Sequence, residues 1–144
     1  MRKMRGKILA AIIILVLIIS FVFRDMGVQL FVRINHASLE RFSTDALDSL
    51  DSSESDYESL QYGIWRVGCW RETGMVEFHT QSSTAFGGTE KGFYYSSSGE
   101  PIAFNATNMP FVESGGGWRW DDPYGNWGYT EEIVEHWYWF EAHF

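Results

Sequence analysis

Read for its hydrophobic and polar positions, the chain changes character several times. Residues 8–23 are apolar at every position except Ser20, with basic residues before them and Arg24-Asp25 after. A helix of that length rises about 24 Å, short of the roughly 30 Å hydrocarbon core, and Lys7 and Arg24 can snorkel to extend the span. β-Branched residues run all round it and leave no polar face, so a transmembrane signal-anchor over 8–24 is expected. A cleaved signal peptide shares the basic start and apolar run, but no Ala-x-Ala follows them here.

From residue 28 to about 50, apolar residues recur at three- and four-residue spacing: Leu39, Phe42, Ala46 and Leu50, with Phe31 and Ile34 extending the stripe upstream. That spacing predicts one amphipathic helix. Gly27 either separates it from the anchor or lies inside one long rod. Residues 48–59 are acidic and serine-rich without a periodic apolar face, which predicts a solvated linker or a frayed helix end.

Beyond Tyr62 the period becomes two. Residues 62–71 are rich in aromatic and β-branched side chains and end in Glu72-Thr73-Gly74. Residues 75–81 alternate Val76, Phe78 and Thr80 with Glu77, His79 and Gln81, so the two segments predict a hairpin. Residues 91–96 predict another strand and 102–104 a short one. Residues 131–144 close the chain, either as a strand or as a helical turn feeding one. Asp122-Pro123-Tyr124-Gly125 places proline and glycine where a β-turn uses them. The fold class expected is α+β: an N-terminal transmembrane helix, one amphipathic helix, then a small curled antiparallel sheet of about five to six strands. The organisation is a basic stub over 1–7, the anchor over 8–24, the helix and acidic linker over 25–60, and an aromatic-rich β domain over 61–144.

Charge adds an address. The net charge of −8 is unevenly spread: residues 1–24 hold five basic side chains and no acid, whereas the other 120 hold six basic and nineteen acidic ones. Four basic residues before the span against one after it put the N-terminus in the cytoplasm and the acidic domain outside a cell membrane crossed once. The short anchor and the absence of a disulfide framework suit a bacterial envelope. Acidity of this degree repels phosphates and argues against nucleic acid as a partner. The single cysteine, Cys69, excludes an intrachain disulfide and a four-cysteine zinc site, and is either a core residue or half of an intermolecular disulfide.

Candidate chemistry is sparse. His36, His79, His136 and His143 show none of the short spacings of zinc sites, so no metal is expected. Gly87-Gly88 and the triplet at 115–117 lack the lysine-serine pair of a phosphate loop, and no cofactor is expected. Asp121, Asp122 and Asn126 depart from the calcium-loop spacing. Glu77 and His79 share a strand face two residues apart and suit acid–base work if they line a cleft; otherwise they form the polar outer face of a half-buried strand. No catalytic residue is assigned on this basis. Asn105-Ala106-Thr107 matches a glycosylation sequon.

The aromatic C-terminal part is the most suggestive feature. Between Trp118 and Phe144, ten of twenty-seven residues are Trp, Tyr or Phe. Core packing accounts for most of them, and an aromatic ligand face would draw on Trp118, Trp120, Trp127, Trp137 and Trp139, because flat rings stack on sugars and quaternary ammonium groups. On a final strand Trp137 and Trp139 point one way and Tyr138 and Phe140 the other, leaving one pair available for exposure. Residues 92–99 and 137–140 resemble the aromatic hairpins of choline- and cell-wall-binding repeats. That resemblance covers these twelve residues, and single copies cannot build a solenoid, so it assigns no family. The functional expectation is a non-enzymatic binding, sensor or accessory module on the lipid bilayer, with a cell-envelope glycan or a membrane protein as partner. The alternatives are a membrane-tethered hydrolase using Glu77/His79 or Asp121/Asp122, and a subunit docking through the 31–50 helix.

Overall fold

A computed structural model describes residues 24–49, 56–83 and 87–144. The expected anchor over 8–24, apart from Arg24, lies outside the described residues, as do the basic stub and residues 50–55 of the linker. Among the described residues, no helix is long and apolar enough to cross a membrane.

Among the described residues the fold is α+β, with one helix and eight antiparallel strands. Helix α1 spans Arg24–Ser49 and runs through Gly27 without a break. Its inward stripe is Val28, Val32, Leu39 and Ala46, flanked by Phe31 and Phe42. Ile34, expected in that stripe, points away and is 71% exposed. The reason is phase: five residues from Leu39 at about 100° per residue carries it to the far side of the helix.

Strands β1 (Tyr57–Tyr62), β2 (Trp65–Trp70), β3 (Met75–Ser83) and β4 (Thr89–Ser96) form one meander. Strands β5 (Val112–Ser114), β6 (Gly117–Asp121), β7 (Trp127–Val134) and β8 (Trp137–His143) form a second. The order β1-β2-β3-β4-β8-β7-β6-β5 joins the two meanders through β4 and β8, with Phe93 opposite Trp139 and Tyr94 opposite Tyr138. The sheet is therefore wider than the five to six strands expected, and it begins at Tyr57, inside the stretch expected to be linker. Both edge strands escaped the pattern because edges are short and polar: β5 is exposed throughout, and β1 turns only Glu58, Leu60 and Tyr62 inward. Residues 62–71 are not one strand, since Gly63 turns the chain at φ 59° between β1 and β2. Residues 131–144 hold the end of β7 and all of β8, and residues 102–104 lead into a 3-10 turn at Phe104–Ala106 instead of forming a strand.

Each sheet face has its own cover. Helix α1 packs on one face, where Phe78 and Phe93 stack at 4.6 Å and Trp137 lies 6.0 Å from both. The β4–β5 connection, residues 97–111, crosses the other. It brings Ile102, Phe104 and Ala106 onto Met75, Tyr94, Tyr138 and Phe140, with Met109 and Phe111 farther along against Trp120 and Ala142. Polar links fix this cover: Tyr94 accepts the Ile102 N–H at 3.0 Å, Tyr138 donates to the Gly99 carbonyl at 2.5 Å, and Ser96 donates to the Glu100 carbonyl at 2.7 Å. The side chains of the final strand consequently go under cover on both faces, Trp137 and Trp139 beneath the helix and Tyr138 and Phe140 beneath the connection.

Candidate functional site

The covered second face holds an ionisable cluster. Glu77 and His79 alternate onto it from β3, Arg66 sits opposite His79 on β2, and Glu90 on β4 sits opposite Ser82. A β-bulge between His79 and Gln81 resets the register and brings Glu90 alongside the imidazole. His79 lies between two carboxylates. Its Nε2 is 3.2 Å from Glu77 Oε1 and its Nδ1 is 3.3 Å from Glu90 Oε2. Ser82 donates to Glu90 Oε1 at 2.5 Å, and the Arg66 guanidinium approaches Glu90 at 3.8 Å and His79 Nδ1 at 3.5 Å.

Glu77 is the unusual member. It was expected on a solvated outer face, yet it is fully buried, because the 97–111 connection closes over it. Its Oε2 accepts the Asn105 N–H at 3.1 Å, while Oε1 has no well-directed hydrogen bond, the 3.2 Å approach of His79 being off line. Burial pushes its carboxyl up to about 8, against the opposing pull of the Asn105 N–H. Burial also lowers His79, and the Arg66 charge adds to that. The two shifts agree on one arrangement: Glu77 keeps its proton beneath a neutral imidazole, which donates from Nδ1 to the Glu90 carboxylate.

Above this cluster lies an open cleft of about 610 Å³. Arg66, His79 and Glu90 form its floor, with Tyr57, Phe104 and Phe144 among its walls. Asn105, held at φ 55°, completes the rim. The floor presents a carboxylate, a guanidinium and an imidazole, Ser59 and Ser83 add hydroxyls, and the walls present rings. That mixture suits a small, neutral, polyhydroxylated ligand with one apolar face.

The five tryptophans are not assembled into one surface. Trp137 and Trp139 are buried under the helix, and Trp120 is buried on the opposite face, its ring lying across Gly128. Trp118 is half-buried against Tyr138. Trp127 is sandwiched between His143, stacked at 4.0 Å, and the Arg119 guanidinium at 4.4 Å. The stretches 92–99 and 137–140 do not make hairpins of their own; they contribute to β4 and β8, which pair with each other.

The other carboxylate pair is occupied locally. Asp121 receives two hydrogen bonds from Arg119. Asp122 accepts the Tyr124 N–H at 2.7 Å, the Asn126 N–H at 2.9 Å and the Asn126 amide at 2.6 Å, which closes the β6–β7 turn. Neither borders the cleft. His36, His136 and His143 are separate from it, and no group of three metal-ligating side chains forms among the described residues.

Sequence reasoning identified Glu77 and His79 but missed Arg66, Glu90 and Ser82. Their meeting depends on the register of three strands and on a bulge, and single-strand alternation shows neither. No family model matches the chain, and neither a curated protein nor a solved structure matches it.

Proposed function

We propose that this chain is a membrane-tethered extracytoplasmic binding module whose ligand site is the cleft over Arg66, His79 and Glu90, and that its ligand is a saccharide of the cell envelope. The observation that carries this reading is the pairing of a polar floor with aromatic walls in one concavity. Glu90 and Arg66 supply an acceptor and a fork of donors for adjacent hydroxyls, and Phe104 or Phe144 supplies a flat face for the sugar's C–H surface. The site differs from the tryptophan set suggested by composition, because three of those five side chains are core. Titrating the full chain in nanodiscs with soluble cell-wall oligosaccharides, read by calorimetry, tests it. Saturable binding is expected to weaken about tenfold in Arg66→Ala and Glu90→Gln, the effect of losing about 1.4 kcal/mol of hydrogen bonding. Trp127→Ala, away from the cleft, leaves it unchanged. Equal affinity in all three variants would refute the assignment.

Hydrolysis is the second reading, and the 3.2 Å approach of Glu77 to His79 favours it. Of the acid–base groups Glu77, His79 and Glu90, the last two line the cleft, so they would touch substrate while Glu77 acts from beneath as a positioning residue. Release of reducing ends from the same oligosaccharides, abolished in His79→Gln, distinguishes this reading from simple binding.

A further inference from the structure

Among the described residues, the large exposed apolar side chains of the sheet other than Tyr57 lie toward one end. The strand directions place the β1–β2 turn, the start of β5, the β6–β7 turn and the end of β8 together, and the large exposed apolar residues there are Ile64, Val112, Tyr124 and Phe144. Ile64 and Tyr124, each at a turn tip, are 91% exposed. The helix starts at this same end: Lys91, near the beginning of β4, binds Asp25 at 3.3 Å, and Met26 and Leu30 on the first turns are exposed beside it. The sixteen-residue apolar run of the sequence ends at Phe23, immediately before this helix.

Charge is distributed to match. At the apolar end the acids are neutralised or built into turns: Asp121 by Arg119, Asp25 and Glu141 by Lys91, and Asp122 by its own turn. The opposite end carries Glu72, Glu100 and Glu135, which make no ion pair among the described residues, beside the single cation Arg71. Tyr57, the exposed aromatic nearest that end, packs on Trp70.

From this polarity we infer that the domain stands on the bilayer surface, with the Ile64 and Tyr124 turns as two feet on either side of the point where α1 meets the apolar run. The feet are five strand positions apart, on the order of 24 Å along the sheet end. An apolar tip and a tyrosine at this level are what the headgroup boundary accommodates, and the unpaired acids are held away from anionic lipid. Lys91 fixes the angle by clamping the helix start to β4 and β8. The cleft opens on a sheet face and reaches this end only at Gly88 and Phe144, so a standing domain leaves its mouth facing sideways. The inference rests on the membrane-tethered reading and adds an orientation to it.

Nitroxide labels at Ile64→Cys and Tyr124→Cys, compared with Thr73→Cys and Glu135→Cys at the far end, test it in the full chain in phosphatidylglycerol/phosphatidylethanolamine nanodiscs. All four sites are exposed turns, and native Cys69 is buried. The ratio of oxygen to nickel-chelate accessibility is expected to be several-fold higher at 64 and 124 than at 73 and 135. Equal ratios in a chain that enters the bilayer would overturn the standing orientation alone. Labels at 64 and 124 shielded from both relaxers would mark a protein partner there and overturn the lipid assignment. A chain recovered wholly in the aqueous fraction would overturn the tether and the orientation together.

Discussion

Glu77 and His79, two positions apart on β3, meet at 3.2 Å with the carboxyl sealed from water. The folded pair holds one proton and no net charge. Glu77 has a folded value of about 8 against an ordinary 4.5, so the folded chain keeps a proton that the unfolded chain has released. The stability tied to this group is full below 4.5 and is lost as pH rises through 8. His79, held below 6.5, acts in the opposite direction, and its contribution is settled once pH exceeds 6.5. Between 6.5 and 8, Glu77 therefore acts alone, with a limiting slope of about 1.4 kcal/mol per pH unit. Glu77→Gln retains an acceptor for the Asn105 N–H and a donor for His79, and it does not ionise. Urea midpoints across pH 6.5–8 are expected to fall in the parent and stay level in the variant; parallel curves would show that Glu77 is already ionised.

Two glycine substitutions are expected to act with opposite signs. A Cβ on Gly92 would meet the Phe78 carbonyl oxygen at 1.9 Å and the Phe140 ring at 2.8 Å, at the centre of the sheet. Backbone cannot yield there without disturbing both the β3–β4 and β4–β8 pairings, so Gly92→Ala costs on the order of 3 kcal/mol or more. Gly27 lies within the helix and has nothing within 4 Å of its added Cβ. Gly27→Ala removes a glycine from a helix interior and stabilises by about 1 kcal/mol. Thermal melts of both variants check the pair.

The legible and illegible parts of the chain separate along a physical line. Helix α1 showed itself because one face is apolar and the other charged, and its phase error at Ile34 came from a stripe drawn too wide. Strands β3 and β4 showed themselves because they sit at the sheet centre. Strand β1 was hidden because Tyr57, Ser59 and Gln61 face outward, and β5 because it has no buried residue. The β7–β8 hairpin was hidden because its turn, Glu135-His136, contains no glycine; His136 adopts φ 68° itself and its Nδ1 lies 2.8 Å from the Ser96 carbonyl. At the site, period-two alternation put Glu77 beside His79. Their burial depended on Phe104 and Asn105, held over them by a segment read as part strand and part irregular, whose Ile102, Ala103 and Phe104 pack on the sheet. Three apolar residues there were the available sign of a second covered face.

The helix–sheet interface gives a prediction that separates its two sides. Leu39 is wholly buried at the middle of α1, between β strands and its own helix, whereas Ile34 points outward. Leu39→Ala removes about three buried carbon atoms and leaves a cavity, costing about 2–5 kcal/mol. Ile34→Ala changes stability by less than about 0.5 kcal/mol, since it leaves no void and improves helix propensity. Denaturant midpoints of the two variants test the assignment. A larger loss at Ile34 would mean that the outward face of the helix is covered in solution.

Cys69 decides between a core role and a link between chains. It lies in β2 with no exposed surface, packed in the cluster beneath α1, and burial together with the nearby Glu58 charge pushes its thiol up to about 11. Both attack on a disulfide and alkylation require a thiolate in contact with solvent, so the native thiol is closed to them on two counts. Reaction with an aromatic disulfide reagent is expected to proceed only through opening of the helix–sheet interface, to accelerate as urea approaches the unfolding midpoint, and to become immediate in the unfolded chain. A core-loosening variant such as Leu39→Ala raises the rate in proportion to its loss of stability when reclosing is fast relative to labelling. Rapid labelling of the folded parent, or a disulfide-linked dimer on non-reducing gels of freshly prepared native protein, would place the thiol at the surface and reinstate the intermolecular link.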